Sequence, residues 1–135
     1  MLPQIYINCD GNWCKPMVQV SGSAKDMSHL GRLIEKIEDR VEWNFCASKD
    51  EYFPVNLRTF IIVVNPLEND RLTVDVGNNS ISFTGSRVAI SDLGRSLINF
   101  FSESVSVDDH FEFFYYDGNP VLNKTECHLV FLCDR

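Results

Sequence analysis

Two stretches of this chain are versions of one another, and that self-similarity limits the fold more than any other feature. Ser21-Gly22-Ser23-Ala24-Lys25-Asp26-Met27-Ser28-His29-Leu30-Gly31-Arg32 aligns without a gap on Thr84-Gly85-Ser86-Arg87-Val88-Ala89-Ile90-Ser91-Asp92-Leu93-Gly94-Arg95, with six identities at a constant offset of 63. Farther on, Val41–Cys46 matches Phe111–Tyr116 at an offset of 70. Seven extra residues therefore separate helix from strand in the second copy, around Ser102 to Asp109. Shared order, spacing and hydrophobic phase point to a duplication.

Each copy reads as strand, strand, helix, strand, strand. In the first, Gln4–Cys9 and Met17–Val20 are β-rich. Ser23 with Asp26 three residues on resembles a capping box. Met27, Leu30, Ile34, Ile37 and Val41 then recur at helical spacing. Val41–Ala47 and Thr59–Val64 close the copy. In the second, the expected strands are Arg71–Val76, Ser80–Thr84, His110–Tyr116 and Cys127–Cys133, around a helix from about Arg87 to Phe101. The fold implied is α+β: a single domain over residues 1–135, made of two ββαββ repeats at about 1–66 and 67–135. Its largely antiparallel sheet, of about eight strands, carries two helices on one face. Gly31 and Gly94 fall in mid-helix, where each costs about 1 kcal/mol relative to Ala. A cost met twice at the equivalent position predicts a close approach of the helices, or of helix and sheet, near a pseudo-twofold axis. Arg32 and Arg95 follow directly and read chiefly as solvated or ion-paired arginines that hold a strand end, with ligand binding as the other reading.

The chain has 135 residues, enough for one domain, and 44% apolar against 23% charged residues, which excludes a disordered chain. Nineteen Asp and Glu face only twelve Lys and Arg, a formal charge of −7. That balance argues against nucleic acid or an anionic membrane as partner, since both need basic patches, and leaves a basic protein. The N-terminal stretch lacks a basic segment and a long apolar run, and the longest apolar run is Phe60–Val64, so a cytoplasmic location away from membranes is expected. Five cysteines (Cys9, Cys14, Cys46, Cys127, Cys133) form an odd set without a C-x-x-C pair and read as reduced thiols.

His29, His110 and His128 are scattered, with no metal-binding spacing, so neither metal nor cofactor is expected. Nothing favours a dyad of His110 with Cys127 or Cys133, the serines before the helices lack a phosphate-binding loop, and no catalytic residue is assigned. The reading is a binding protein, not an enzyme.

Residues 96 to 123 hold no Lys or Arg but five acids: Glu103, Asp108, Asp109, Glu112 and Asp117. The same window holds Phe100, Phe101, Phe111, Phe113, Phe114, Tyr115 and Tyr116. Strand alternation puts Phe111, Phe113 and Tyr115 towards the helices and Glu112, Phe114 and Tyr116 on the open face. Aromatic anchors among charges of one sign suit a protein interface. The candidate contacts are Asp108, Asp109, Glu112, Phe114, Tyr116 and Asp117, with Glu42 and Asn44 adjacent if the sheet is continuous. Substitution of the two aspartates is expected to leave stability nearly unchanged. Thr59–Val64 and Cys127–Leu132 are almost continuously apolar, so both faces of these strands are expected to be buried, which leaves room for a homodimer.

The ending Phe111-Glu112-Phe113-Phe114-Tyr115-Tyr116-Asp117-Gly118-Asn119-Pro120-Val121-Leu122, with Cys127-His128-Leu129-Val130-Phe131-Leu132 after it and Thr84-Gly85-Ser86 and its helix before it, resembles immunity proteins of bacterial polymorphic-toxin and contact-dependent growth inhibition systems. The resemblance covers about residues 79 to 133, with the first copy a fainter echo. It implies a small, acidic, cytoplasmic α+β domain that binds a cognate toxin, often a basic nuclease, and neutralises it by stoichiometric occlusion. It carries no catalytic residue and assigns no interface residue.

Overall fold

The computed structural model describes residues 1–102 and 104–135; Glu103 lies outside the described residues. In chain order the elements are β1 (Tyr6–Cys9), β2 (Met17–Gly22), α1 (Ala24–Glu35), β3 (Arg40–Asn44), β4 (Val55–Asn56), β5 (Thr59–Val64), β6 (Thr73–Val76), β7 (Ser80–Gly85), α2 (Arg87–Phe100), β8 (His110–Phe113) and β9 (His128–Cys133). The domain is α+β, as the element pattern implied.

Both helices start where the serines dictate. Ser23 and Ser86 sit in extended conformation, and their Oγ atoms accept hydrogen bonds from Asp26 N at 3.0 Å and Ala89 N at 3.2 Å. Ser23 Oγ in turn donates to Asp26 Oδ2, whereas Ser86 Oγ donates to Asp70 Oδ1 from the loop between β5 and β6. The apolar stripe overstates the length of α1. The helix stops at Glu35, where Lys36 N–H turns back to Ile34 O and Leu33 O, so Ile37 lies beyond it and Val41 belongs to β3.

The expected single sheet of about eight strands is corrected. The strands form a five-stranded sheet, β4-β1-β2-β9-β8, and a four-stranded sheet, β3-β5-β7-β6. The cause is exchange between the halves. β2 pairs in parallel with β9 from Met17↔His128 to Gly22↔Cys133, and β5 pairs in parallel with β7 from Thr59↔Ser80 to Val64↔Gly85. Each helix leaves one sheet and delivers the chain to an edge of the other, so neither half closes a sheet alone. Both sheets use the same register at equivalent residues; duplication itself is a reading of the sequence, to which the structure contributes only this pairing geometry.

One core joins the sheets and the helices. β5, β7 and β9 alternate strictly, with Phe60, Ile62, Ile81, Phe83, Leu129 and Phe131 fully buried and Ile61, Val63, Val130 and Leu132 half-buried on the other side. Continuous apolarity thus did not signal two buried faces, and no second copy is required to cover the inner ones.

The helices meet at the two glycines. A Cβ on Gly31 would stand 2.6 Å from Gly94 O, and one on Gly94 would stand 2.6 Å from Gly31 O. No larger residue fits between backbones this close. Beside the crossing, Arg95 pairs with Glu35 at 2.8 Å, while Arg32 donates to Ser28 Oγ at 2.9 Å. Among the described residues no helix is long and apolar enough to cross a membrane.

Candidate interaction surface

β8 is the terminal strand of the five-stranded sheet, so among the described residues no strand pairs with its outer edge. Its alternation agrees with the sequence expectation. Phe111, Phe113 and Tyr115 are half-buried, while Glu112, Phe114 and Tyr116 are exposed. On the inner side Phe111 stacks on Phe131 at 5.1 Å between ring centres and meets Phe100 at 4.8 Å, and Phe113 meets Phe131 edge-on at 5.9 Å. This cluster fixes the strand's orientation and so presents the opposite row to solvent.

On that outer row a carboxylate lies between two imidazoles. Glu112 Oε2 is 2.9 Å from His128 Nε2, and Glu112 Oε1 is 3.4 Å from His110 Nε2. His110 precedes Glu112 by two residues on the same strand face, and His128 comes from neighbouring β9. Phe114 leans on the His128 ring at 5.5 Å and on Tyr116 at 6.2 Å. Phe114 and Tyr116 nevertheless stay 50% and 54% exposed. The loop that follows is held by buried Asn119. Its Nδ2 donates to Phe114 O at 3.0 Å, and its Oδ1 accepts from Val121 N at 2.7 Å and Leu122 N at 2.9 Å. Gly118, with φ of 83°, lets the chain turn so that Asn119 N reaches Tyr116 O at 3.0 Å, leaving Asp117 exposed at the tip.

Asp108 and Asp109 sit at the entrance to β8 and are architectural as well as acidic. Asp108 N donates to Cys133 O at 2.8 Å, and Cys133 N donates to Asp109 O at 2.9 Å, so two residues face one in the pattern of a glycine-type bulge. Asp108 has a φ of 75°. Asp109 Oδ2 accepts from Ser106 N at 2.8 Å. Asp108 thus carries a left-handed backbone and Asp109 holds a turn, so the effect of replacing either on stability depends on the residue that replaces it.

Glu42 and Asn44 do not join this surface. They lie on β3, an edge of the other sheet, and the condition of a continuous sheet fails. Glu42 is 3.7 Å from Arg40, and Asn44 Oδ1 accepts from Thr59 Oγ1 at 2.9 Å. Two contributors were not assigned to this surface from the sequence, His128 and Asn119, while Phe100, read there only as part of the aromatic window, packs on the inner side. Strand period would have paired His110 with Glu112, but bringing in His128 needs the β8–β9 register.

All five cysteines are free, with Cys14 and Cys46 exposed and Cys9, Cys127 and Cys133 buried. Burial pushes the Cys127 thiol up to about 12, and burial likewise raises Cys9. Both are therefore held as neutral thiols, the opposite of an activated nucleophile. Among the described residues no three His, Cys, Asp or Glu are arranged to hold a metal ion. Comparison with known protein families, with curated proteins and with solved structures finds nothing that matches this chain.

Proposed function

We propose that this chain is a binding protein for a basic protein partner and that the outer side of β8 is where the partner docks. Following the resemblance to immunity proteins, the partner is a cognate toxin domain, with a basic nuclease as the type to be expected, and stoichiometric occlusion neutralises it. One observation carries the reading. Phe114 and Tyr116 are half exposed beside Glu112 and Asp117, in a stretch of residues 96 to 123 with no Lys or Arg. Charge of one sign speeds encounter with a basic surface, and aromatic side chains that lose water on docking slow dissociation. Neither catalysis nor a cofactor enters this proposal.

The test is kinetic, and its partner is the product of the neighbouring gene, assayed as a toxin domain. Glu112→Lys is expected to lower the association rate and flatten its salt dependence. Phe114→Ala and Tyr116→Ala are expected to raise the dissociation rate by an amount worth about 1–3 kcal/mol if either is an anchor. Unchanged rates in all three would move the interface elsewhere, and absence of any basic partner would end the immunity reading.

A homodimer is the second reading, favoured by Ile61, Val63, Val130 and Leu132, which leave an apolar stripe half-buried on the outer sheet faces. Sedimentation at rising concentration separates the two: a dimer that excludes the toxin domain favours the second.

A further inference from the structure

The inner side of β8 carries a feature that the proposed docking does not use. Along α2, beside β8 and the loops that flank it, three depressions follow one another, the first two open to solvent. The first, of about 460 Å³, is bounded by Phe100, Asp108, Asp109 and His110. The second, of about 480 Å³, is floored by Phe100, Phe111 and Phe113 and walled by Ser96 and Asn99. The third, of about 90 Å³, shares Ser96 and Phe113 with the second and ends at Asp70 and Asp92. The first and second share Phe100 and the second and third share Ser96 and Phe113, so we treat them as one shallow furrow along the helix stripe Ala89, Asp92, Ser96, Asn99 and Phe100. Eleven helical steps at about 1.5 Å give it a length of roughly 16 Å, the span of about five extended residues.

Its chemistry is ordered. The floor is aromatic, each end carries two aspartates, and among the described residues no Lys or Arg lines any part of it. One oxygen of Asp70 accepts from Ser86 Oγ and one of Asp109 accepts from Ser106 N, which fixes both carboxylates in place. An apolar strip closed at both ends by fixed negative charge repels acidic segments and leaves an uncharged one without partners for the ends.

We infer that this furrow is a second docking element, which seats an apolar segment of the partner protein flanked on both sides by lysine or arginine. The inference rests on the proposed binding of a basic protein and adds where, and by which sequence pattern, that protein is gripped. Leucine or phenylalanine side chains of the segment lie on Phe100, Phe111 and Phe113, and its flanking cations meet Asp108 and Asp109 at one end and Asp70 and Asp92 at the other.

The probe is a synthetic peptide with Leu-Phe-Leu between two Arg-Lys pairs, titrated into the isotopically labelled full chain and followed by amide chemical shifts. Expected are shifts at Ser96, Asn99, Phe100 and Phe113, no binding by the same peptide with Glu in place of every cation, and at least about tenfold weaker binding by Ser96→Arg. Asn99 is exposed, so Asn99→Arg repeats the block at a position where folding is not at stake. Equal binding of the acidic peptide overturns the furrow, as do shifts confined to Glu112, Phe114 and Tyr116 or absent from the whole chain. The outer surface stands or falls separately, on the toxin dissociation rates of Phe114→Ala and Tyr116→Ala.

Discussion

β3 and β8 occupy equivalent places, each an edge strand delivered by a helix, yet they present different chemistry. On β3 the outer row is Arg40, Glu42 and Asn44, occupied with a local ion pair and a hydrogen bond to Thr59. On β8 the same row is His110, Glu112 and, one step on, Phe114, where one carboxylate bridges two imidazoles and aromatic rings face solvent. The inner rows agree: Trp43 stacks on Phe60 at 6.0 Å as Phe111 stacks on Phe131 at 5.1 Å. The inner packing is shared and the outer surface is not, and it is on this difference that the proposed docking rests.

The connections differ in the same sense. α1 has 12 residues and reaches β3 through residues 36–39, whereas α2 has 14 and reaches β8 through residues 101–109. Two of the seven extra residues therefore lengthen the helix and five lengthen the link. The longer helix carries Phe100 out beside Phe111, and the longer link brings Asp108 and Asp109 to the mouth of the furrow.

The harshest test of the shared scaffold is at the helix crossing. Gly31→Ala and Gly94→Ala each push a methyl group to 2.6 Å from a backbone carbonyl that no rotamer change can move. Each is expected to destabilise by about 2–3 kcal/mol, although the same exchange in an open helix would gain about 1 kcal/mol. Equal losses at both sites, measured by urea unfolding, fit the reciprocal contact. A gain at either would show that the crossing is not close.

How far the sequence announced this depends on how local each cause is. The caps at Ser23 and Ser86 and the two faces of residues 111 to 116 rest on neighbours within a few positions, and both were legible. The division into two sheets was not, because β2 chooses β9 and β5 chooses β7 across long separations that no local pattern encodes. The same gap hid the approach of His128 to Glu112 and misplaced Glu42 and Asn44. The run of Leu129 to Leu132 suggested two buried faces because a β-branched or leucine residue also suits a half-covered outer row. Asp108 concealed its backbone, since the position favours glycine and the chain offers aspartate.

On the β8 side the loop organiser comes next in size. Asn119→Ala removes three hydrogen bonds from a buried group and is expected to cost about 2 kcal/mol while loosening Phe114 and Tyr116. The matching change on the β3 side, Asn44→Ala, loses one exposed bond and stays within about 0.5 kcal/mol. Urea midpoints of the pair measure the contrast directly. Alkaline unfolding gives a third test. The folded chain holds the Cys127 proton from the ordinary thiol value of 9.0 up to about 12, while the unfolded chain releases it near 9.0. The folded state thus binds more protons in that window, and stability falls as pH rises through it by up to about 1.4 kcal/mol per pH unit. Cys127→Ala should flatten the slope; an unchanged slope would assign it to other groups.

The smallest effect separates charge from backbone at the entrance to β8, a place with no counterpart in the short link before β3. Asp108 has a φ of 75°, where glycine is at ease, aspartate is tolerated and a β-branched residue is strained. Asp108→Gly is therefore expected to hold stability or raise it by up to about 1 kcal/mol, and Asp108→Val to lower it by about 1–2 kcal/mol. Lysine at this position would confound the two effects, because it reverses the charge and strains the bulge together. With glycine the bulge and its bonds to Cys133 remain while one carboxylate leaves the mouth of the furrow. Association with a basic partner should then slow by about twofold at low salt and converge with the parent as salt screens the charge. A slower association that persists at high salt would mean that Asp108 acts through the shape of the loop. In that case the difference between β8 and β3 at this point is one of geometry before it is one of charge.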